Sequence, residues 1–191
     1  MGFGMQMRRQ GARAGAKAGA LGLALLVAAC GSGPAPGSTA PCPRIAILAE
    51  GADITRFRQG APRDLTAQVV DVRISGFEAT CDFIGRDTRR LAIRVTPRFD
   101  AELGPAAQGR TVDLPWFVAL TNPEDTAELA RRDGIARMVF PPNVQRTTFV
   151  ARPEQLTLTV EEGRRAAEYL VRVSLQLTPD ELAQNRQRGP R

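Results

Sequence analysis

The chain has 191 residues, 26 basic and 20 acidic side chains, no histidine, and a formal charge of +6. Four cations (Arg8, Arg9, Arg13 and Lys17) precede Cys30 and no acid does, so residues 30–191 carry 22 arginines against 20 acids, close to +2. That balance argues against a nucleic-acid partner, and the lack of histidine excludes Ser-His-Asp and Cys-His chemistry and the common His-containing zinc sites.

The N-terminal cations form a positive region ahead of an apolar run of 12 residues, Ala18 to Ala29. A membrane-spanning helix needs roughly 20 apolar residues, so this run fits the core of a cleaved signal peptide. Leu25-Leu26-Val27-Ala28-Ala29-Cys30 resembles the lipobox of bacterial lipoproteins. In that motif small residues admit a peptidase and the cysteine thiol accepts lipid. The resemblance implies that residues 1–29 are removed and that Cys30 carries lipid, including palmitate. It also implies that the membrane is a partner and that the domain sits in the periplasm. Gly31 stands where an aspartate would favour inner-membrane retention, so the outer membrane is favoured. Three acyl chains exceed the two signals that stable anchoring requires. The alternative is an ordinary secretory signal cut nearby, which keeps the compartment and loses the anchor. Residues 30–41 are the lipidated cysteine and a Gly/Ser/Pro-rich linker, with an extended reach of roughly 35 to 40 Å.

With Cys30 taken by lipid, Cys42 and Cys81 remain. An even remainder in an oxidising compartment predicts one disulfide. The alternative, a redox-active pair, is usually close in sequence and near a helix N-terminus, and these two are not.

From Cys42 the apolar period is two. Ile45 to Leu48 starts a first strand, and Ala52 to Phe57 extends an edge. Leu65 to Phe83 reads as one long strand in which Val70, Val72 and Ile74 alternate on one phase and Phe77, Ala79, Cys81 and Phe83 on the other. A β-bulge at Gly76 accounts for the change of phase. Leu91, Ile93 and Val95 make the next strand, and Gly104-Pro105 marks a loop. Val112, Leu114, Trp116, Val118 and Leu120 form the cleanest alternation in the chain. Thr126 to Phe140 reads as a hairpin around Asp133-Gly134, with a short helix from Pro123 to Arg131 as the rival. Strands at Thr147–Val150, Leu156–Val160 and Tyr169–Leu177 follow. Thr178 as N-cap, Pro179 at the first helical position and Glu181 at the third predict a short C-terminal helix.

Seven to nine short strands, one disulfide and little helix imply an all-β sandwich of the immunoglobulin or fibronectin III type, as a single domain over 42–191. The stretch from Val160 to Val173 resembles the E–F corner and F strand of those folds, where a tyrosine hydroxyl bonds back to the corner backbone; Tyr169 is the only tyrosine. The alternative for Tyr169 is a half-buried strand aromatic. Cys42-Pro43 before an apolar strand, Cys81 inside a strand, Trp116-Phe117-Val118-Ala119 and the ending Leu175 to Arg186 are similar to small Gram-negative envelope lipoproteins. That likeness implies a compartment and a fold class, and no catalytic residue.

Candidate chemistry is sparse. Glu161-Glu162 are adjacent and point apart, unlike a glycosidase pair, whose carboxyls face each other about 5 to 9.5 Å apart. Asp82 and Asp87 flank one turn, and Asn122, Glu124 and Asp125 line another; either set has oxygens suited to Ca²⁺, although a solvated acidic turn is the simpler reading. Arg73, Arg94 and Arg172, with Arg89 and Arg90, are candidates for an outward basic stripe. In the C-terminal helix Leu177 and Leu182 are expected to pack while Asn185 and Arg186 stay polar. No cofactor, metal or catalytic residue is expected, and the structural roles fall to Gly76, Trp116 and Tyr169. The functional expectation is a lipid-anchored, non-enzymatic structural or protein-interaction module acting through sheet edges and loops far from the linker. The alternative is a binding module for glycan, anionic lipid or Ca²⁺.

Overall fold

A computed structural model of the chain describes residues 40–189. The expected leader, Cys30 and the linker up to residue 39 lie outside the described residues.

The described residues form a sandwich of two sheets with one helix. One sheet has four strands in the order β1 (Arg44–Ile47), β9 (Leu170–Leu175), β5 (Thr111–Thr121) and β6 (Glu128–Val139). The other has five: β2 (Asp53–Phe57), β3 (Gln68–Ile84), β4 (Asp87–Leu103), then β7 (Arg146–Val150) and β8 (Glu154–Thr159), both paired with β4. β3 and β4 form a long hairpin closed by Gly85-Arg86, with Gly85 at φ 68°. The chain then crosses to β5 and β6, returns to β7 and β8, and crosses again to β9, which pairs antiparallel with β5. This interleaving is the immunoglobulin-like arrangement of a sandwich. Its distinctive edge is β1, which pairs with β9 in parallel.

Alternation in the sequence becomes the two inner faces. Val70, Val72 and Ile74 of β3 are buried, and the β3/β4 register then shifts between Ile74 and Gly76. Ser75 is the extra residue, and its hydroxyl donates to the Arg98 carbonyl at 3.3 Å. The shift turns Cys81 inward. Cys42 and Cys81 are joined by a disulfide with Cα atoms 5.4 Å apart, which ties the chain entering β1 of one sheet to β3 of the other.

β4 runs to Leu103, further than the expected strand around Leu91 to Val95, and passes through Pro97. Proline inside a sheet removes a ladder donor. Here the position tolerates it. β8 pairs with residues 90–95 and β7 with residues 98–102, so Pro97 lies where one partner strand gives way to the next. Its carbonyl still accepts the Ala151 N–H at 3.0 Å.

Trp116 sits between the sheets, fully buried, with its ring edge-to-face with Phe99 of β4 at 6.2 Å between centroids and 61° between planes. Directly opposite it on β6 is Gly134. A Cβ at Gly134 would stand 2.6 Å from Trp116 Cε2. This corrects the expected hairpin at Asp133-Gly134: the pair lies in the middle of one continuous strand, where glycine makes room for an indole. The turn is earlier, at Asn122 to Thr126. There Asn122 Oδ1 accepts the N–H groups of Thr126 (2.8 Å) and Ala127 (3.0 Å), and Asp125 takes φ 57°. The rival reading, a short helix over Pro123 to Arg131, does not form either.

Tyr169 enters β9 with 1% of its surface exposed, and its hydroxyl accepts the Glu161 N–H at 3.1 Å. The corner between β8 and β9 is therefore tied to the strand that follows it.

The helix α1 (Pro179–Arg188) carries its capping box: Glu181 N–H donates to Thr178 Oγ1 and Thr178 N–H to a Glu181 carboxylate oxygen. Its attachment corrects part of a second expectation, since Leu177 does pack against the core. Leu182 is only half-buried, and the buried residue is Asn185. Asn185 Nδ2 donates to the carbonyls of Glu50 (2.9 Å) and Asp53 (2.7 Å). Around it, Arg56 pairs with Glu181, Arg186 with Glu50 and Arg188 with Asp53. The helix thus lies against the edge strand β2 through polar contacts, because that edge offers carbonyls and carboxylates.

Two substitutions test this packing. Gly134→Ala is expected to lower the unfolding free energy by about 1 to 3 kcal/mol through overpacking against Trp116, read from urea denaturation; an unchanged midpoint would count against the close contact. Asn185→Ala is expected to cost about 1 to 3 kcal/mol by stranding two carbonyls. Hydrogen exchange in α1 should quicken while exchange in β5 and β9 stays slow.

Candidate functional site

Many polar groups on the faces of the sandwich are engaged with one another. On the outer face of the five-stranded sheet a shallow basin of about 530 Å³ is lined by Asp71, Arg73, Asp100, Glu102, Arg146 and Thr148. Arg73 and Thr148 both donate to Asp100, Thr55 donates to Asp71 at 2.6 Å, and Arg146 pairs with Glu102. Partial burial pushes the Asp100 carboxyl up, but the hydrogen bonds from Thr148 and Arg73 outweigh it and hold it below the usual range. The basin has charges of both signs, and they are spent on each other.

Several of the candidate residues from the sequence are similarly occupied. In the turn before β6, Arg172 and Thr121 donate to Asp125, and these bonds hold its carboxyl low. Glu124 accepts from Arg164 and Asn122. Asp87 accepts the N–H of Arg89. Among the described residues no group of three or more His, Cys, Asp or Glu is arranged to hold a metal ion. Glu161 and Glu162 lie exposed in the turn that carries Gly163. The expected basic stripe is assembled only in part: Arg89, Arg90 and Arg94 are exposed on β4, which pairs with β3, the strand that carries Arg73. Arg172 lies on β9, in the opposite sheet from Arg73 and Arg94, and Arg73 is matched by Asp100. The strand crossovers separate what a linear reading placed side by side.

Among the described residues an open sheet edge stands apart. β6 ends the four-stranded sheet, and its free side faces a groove of about 830 Å³ lined by Ile135, Arg137, Val139, Phe149, Val150 and Pro153. Ile135 is 71% exposed, Val139 62% and Val150 59%. Among the described residues seven large apolar side chains are exposed, and five of them (Leu129, Ile135, Val139, Val144 and Val150) lie on β6, on β7 or between them. Large apolar patches left exposed are a common feature of contact surfaces.

The backbone of β6 is also available. The Phe140 N–H bonds the Arg110 carbonyl, so the even residues of β6 face β5. On the other side of β5 the Pro115 carbonyl accepts Gln176 N–H, which fixes the same parity. In an antiparallel ladder alternate residues point their amide groups to opposite sides. Arg131, Asp133, Ile135, Arg137 and Val139 therefore turn N–H and C=O outward.

The other edges differ. β1 has four residues, β2 is backed by α1, and the β7–β8 edge is broken at Arg152-Pro153. β6, at 12 residues, is the long open edge of the described residues. The sequence carried a signal for it: Ile135 to Phe140 is apolar on both phases, Ile135 and Val139 on one and Ala136, Met138 and Phe140 on the other. The second set is the core, and the first has nothing among the described residues to cover it.

No protein family, curated protein or solved structure matches the chain.

The carboxylates predict the response to acid. Hydrogen bonds from arginines hold Glu50 (from Arg186), Asp113 (from Arg137) and Asp125 (from Arg172) below their ordinary values. A carboxyl with a lowered folded pKa stabilises the fold fully above its unfolded value and loses that contribution as pH falls through the folded one. Stability should therefore hold level from about pH 7 to about pH 5 and decline below about pH 4. Urea midpoints across that range provide the check. A midpoint that fell between pH 7 and 5 would contradict the assignment.

Proposed function

We propose that this chain is a lipid-anchored, non-enzymatic protein of the cell envelope that works as a structural or protein-interaction module. The observation that carries the contact role is the β6 edge. Twelve residues of open strand flank exposed Ile135, Val139 and Val150. An open edge supplies main-chain hydrogen bonds to an incoming strand, and the side chains beside it supply selectivity. A long exposed edge is otherwise an aggregation hazard, so its apolar character favours an occupant over solvent.

The anchored placement rests on the sequence from Leu25 to Cys30 and on the linker that follows. β6 lies at the opposite edge of its sheet from β1, the first described strand. The non-enzymatic reading is supported by the missing histidine and by the mutual pairing of the surface carboxylates and arginines.

Two measurements test the two halves. Cys30→Ser is expected to move the protein from the membrane fraction to the soluble fraction; retention in the membrane would overturn the anchor. For the contact role, a photo-crosslinking residue is placed at Ile135 in intact cells, with one at Glu78, on the outer face of the other sheet, as the control. A discrete adduct from position 135 alone is expected. Adduct patterns that are the same from both positions, or absent from both, would overturn the contact role.

A further inference from the structure

The side chains along the outer face of β6 are, in order, Leu129, Arg131, Asp133, Ile135, Arg137 and Val139. Asp133 and Arg137 are equidistant from Ile135 and opposite in charge. Turned about a two-fold axis through Ile135, the strand meets itself with Ile135 against Ile135, Asp133 against Arg137, and Arg137 against Asp133. Arg131 then faces Val139. We propose that the occupant of the β6 edge is a second copy of this chain, paired antiparallel about Ile135 into one continuous eight-stranded sheet. This rests on the contact role assigned above to the same edge and names its partner.

Three features select this pairing. The residues brought opposite each other all turn their backbone groups outward, so Ile135 exchanges two N–H···O bonds with its symmetry mate, as two opposed residues of an antiparallel ladder do. The charges are complementary at both flanking positions, and directly opposed unlike charges stabilise a strand pair where like charges destabilise it. Neighbouring registers lose this. Sliding the partner by one step either way sets Ile135 against Asp133 or Arg137, and two steps set Asp133 or Arg137 against its own copy.

The charges also explain why the edge is not simply sticky. In the separate chain Arg137 is held by Asp113 through two contacts of 2.8 Å, and Asp133 by Arg131 at 2.9 Å. Arg131 in turn lies over the Phe117 ring at 3.7 Å. An unrelated strand would have to set these charges against its own side chains, whereas a second copy brings the complementary charge at each position. An interface closed by a two-fold axis uses the same patch on both copies and stops at a dimer.

The experiment uses the full chain in its membranes. In an antiparallel pair of this kind the Cα atoms at Ile135 stand about 5.5 Å apart, within the span of a disulfide. Ile135→Cys should therefore give, on mild oxidation, a reductant-sensitive species of twice the chain mass. Glu78→Cys measures random collision, and the unsubstituted chain measures any contribution of Cys30. Asp133→Arg, made in the Ile135→Cys background, should lower the yield several-fold, and adding Arg137→Asp should restore it. Ile135→Cys crosslinking no better than Glu78→Cys would overturn the second copy, and failure of the double charge exchange to restore the yield would overturn the register. The photo-crosslinker at Ile135 separates this failure from that of the contact role. An adduct of another mass keeps the contact role and rejects the second copy, and no adduct rejects both.

Discussion

The sandwich is organised around the space that one indole occupies. Trp116 projects from β5 toward the opposite sheet, meets Phe99 edge-on, and lies across the backbone of β6 at Gly134. An aromatic this large at the centre fixes the separation of the two layers and, through Gly134, the register of the β5/β6 pair. A one-residue slip would bring Asp133 or Ile135 under the ring and turn the inner face of β6 outward. The outward set from Arg131 to Val139, and with it the character of the free edge, is thus a consequence of how the core is filled.

Several elements were legible in the sequence because their cause is local. Period-two alternation located the inner residues of β3 and β5, the change of phase at Ser75-Gly76 marked the register shift, and Thr178-Pro179-Asp180-Glu181 marked the start of α1. Cys42 and Cys81 followed from cysteine arithmetic. What could not be read was set by tertiary neighbours. Asp133-Gly134 has the composition of a turn, and only the indole opposite shows why the glycine belongs in a strand. Pro97 looks like a strand end until the exchange of β7 for β8 is known. Asn185 reads as a surface residue until two carbonyls are found beneath it. The open edge was half legible: the double apolar phase of Ile135 to Phe140 was present in the sequence, but which strand would end the sheet was not.

Part of the charge on this surface is matched within it. Arg73 with Asp100, Arg146 with Glu102, Arg164 with Glu124 and Glu168, and Arg172 with Asp125 are matched in this way, while other cations, Arg89, Arg90 and Arg94 among them, face solvent. Exposed pairs of this type add little stability each. Their larger effect is to remove long-range attraction for anionic or cationic ligands, in keeping with the near balance of charge in residues 30–191. Against that neutral background the apolar residues along β6 stand out as the place where water is displaced at least cost.

The two long sides of the molecule are closed by different physics. β6 offers apolar groups and unbonded amides, whereas β2 is shielded by α1 through one buried asparagine and three arginine–carboxylate contacts. Attraction between ions weakens as ionic strength rises, and apolar association does not. The helical cover over β2 therefore loosens as ionic strength rises, while the β6 side keeps its character through the same change.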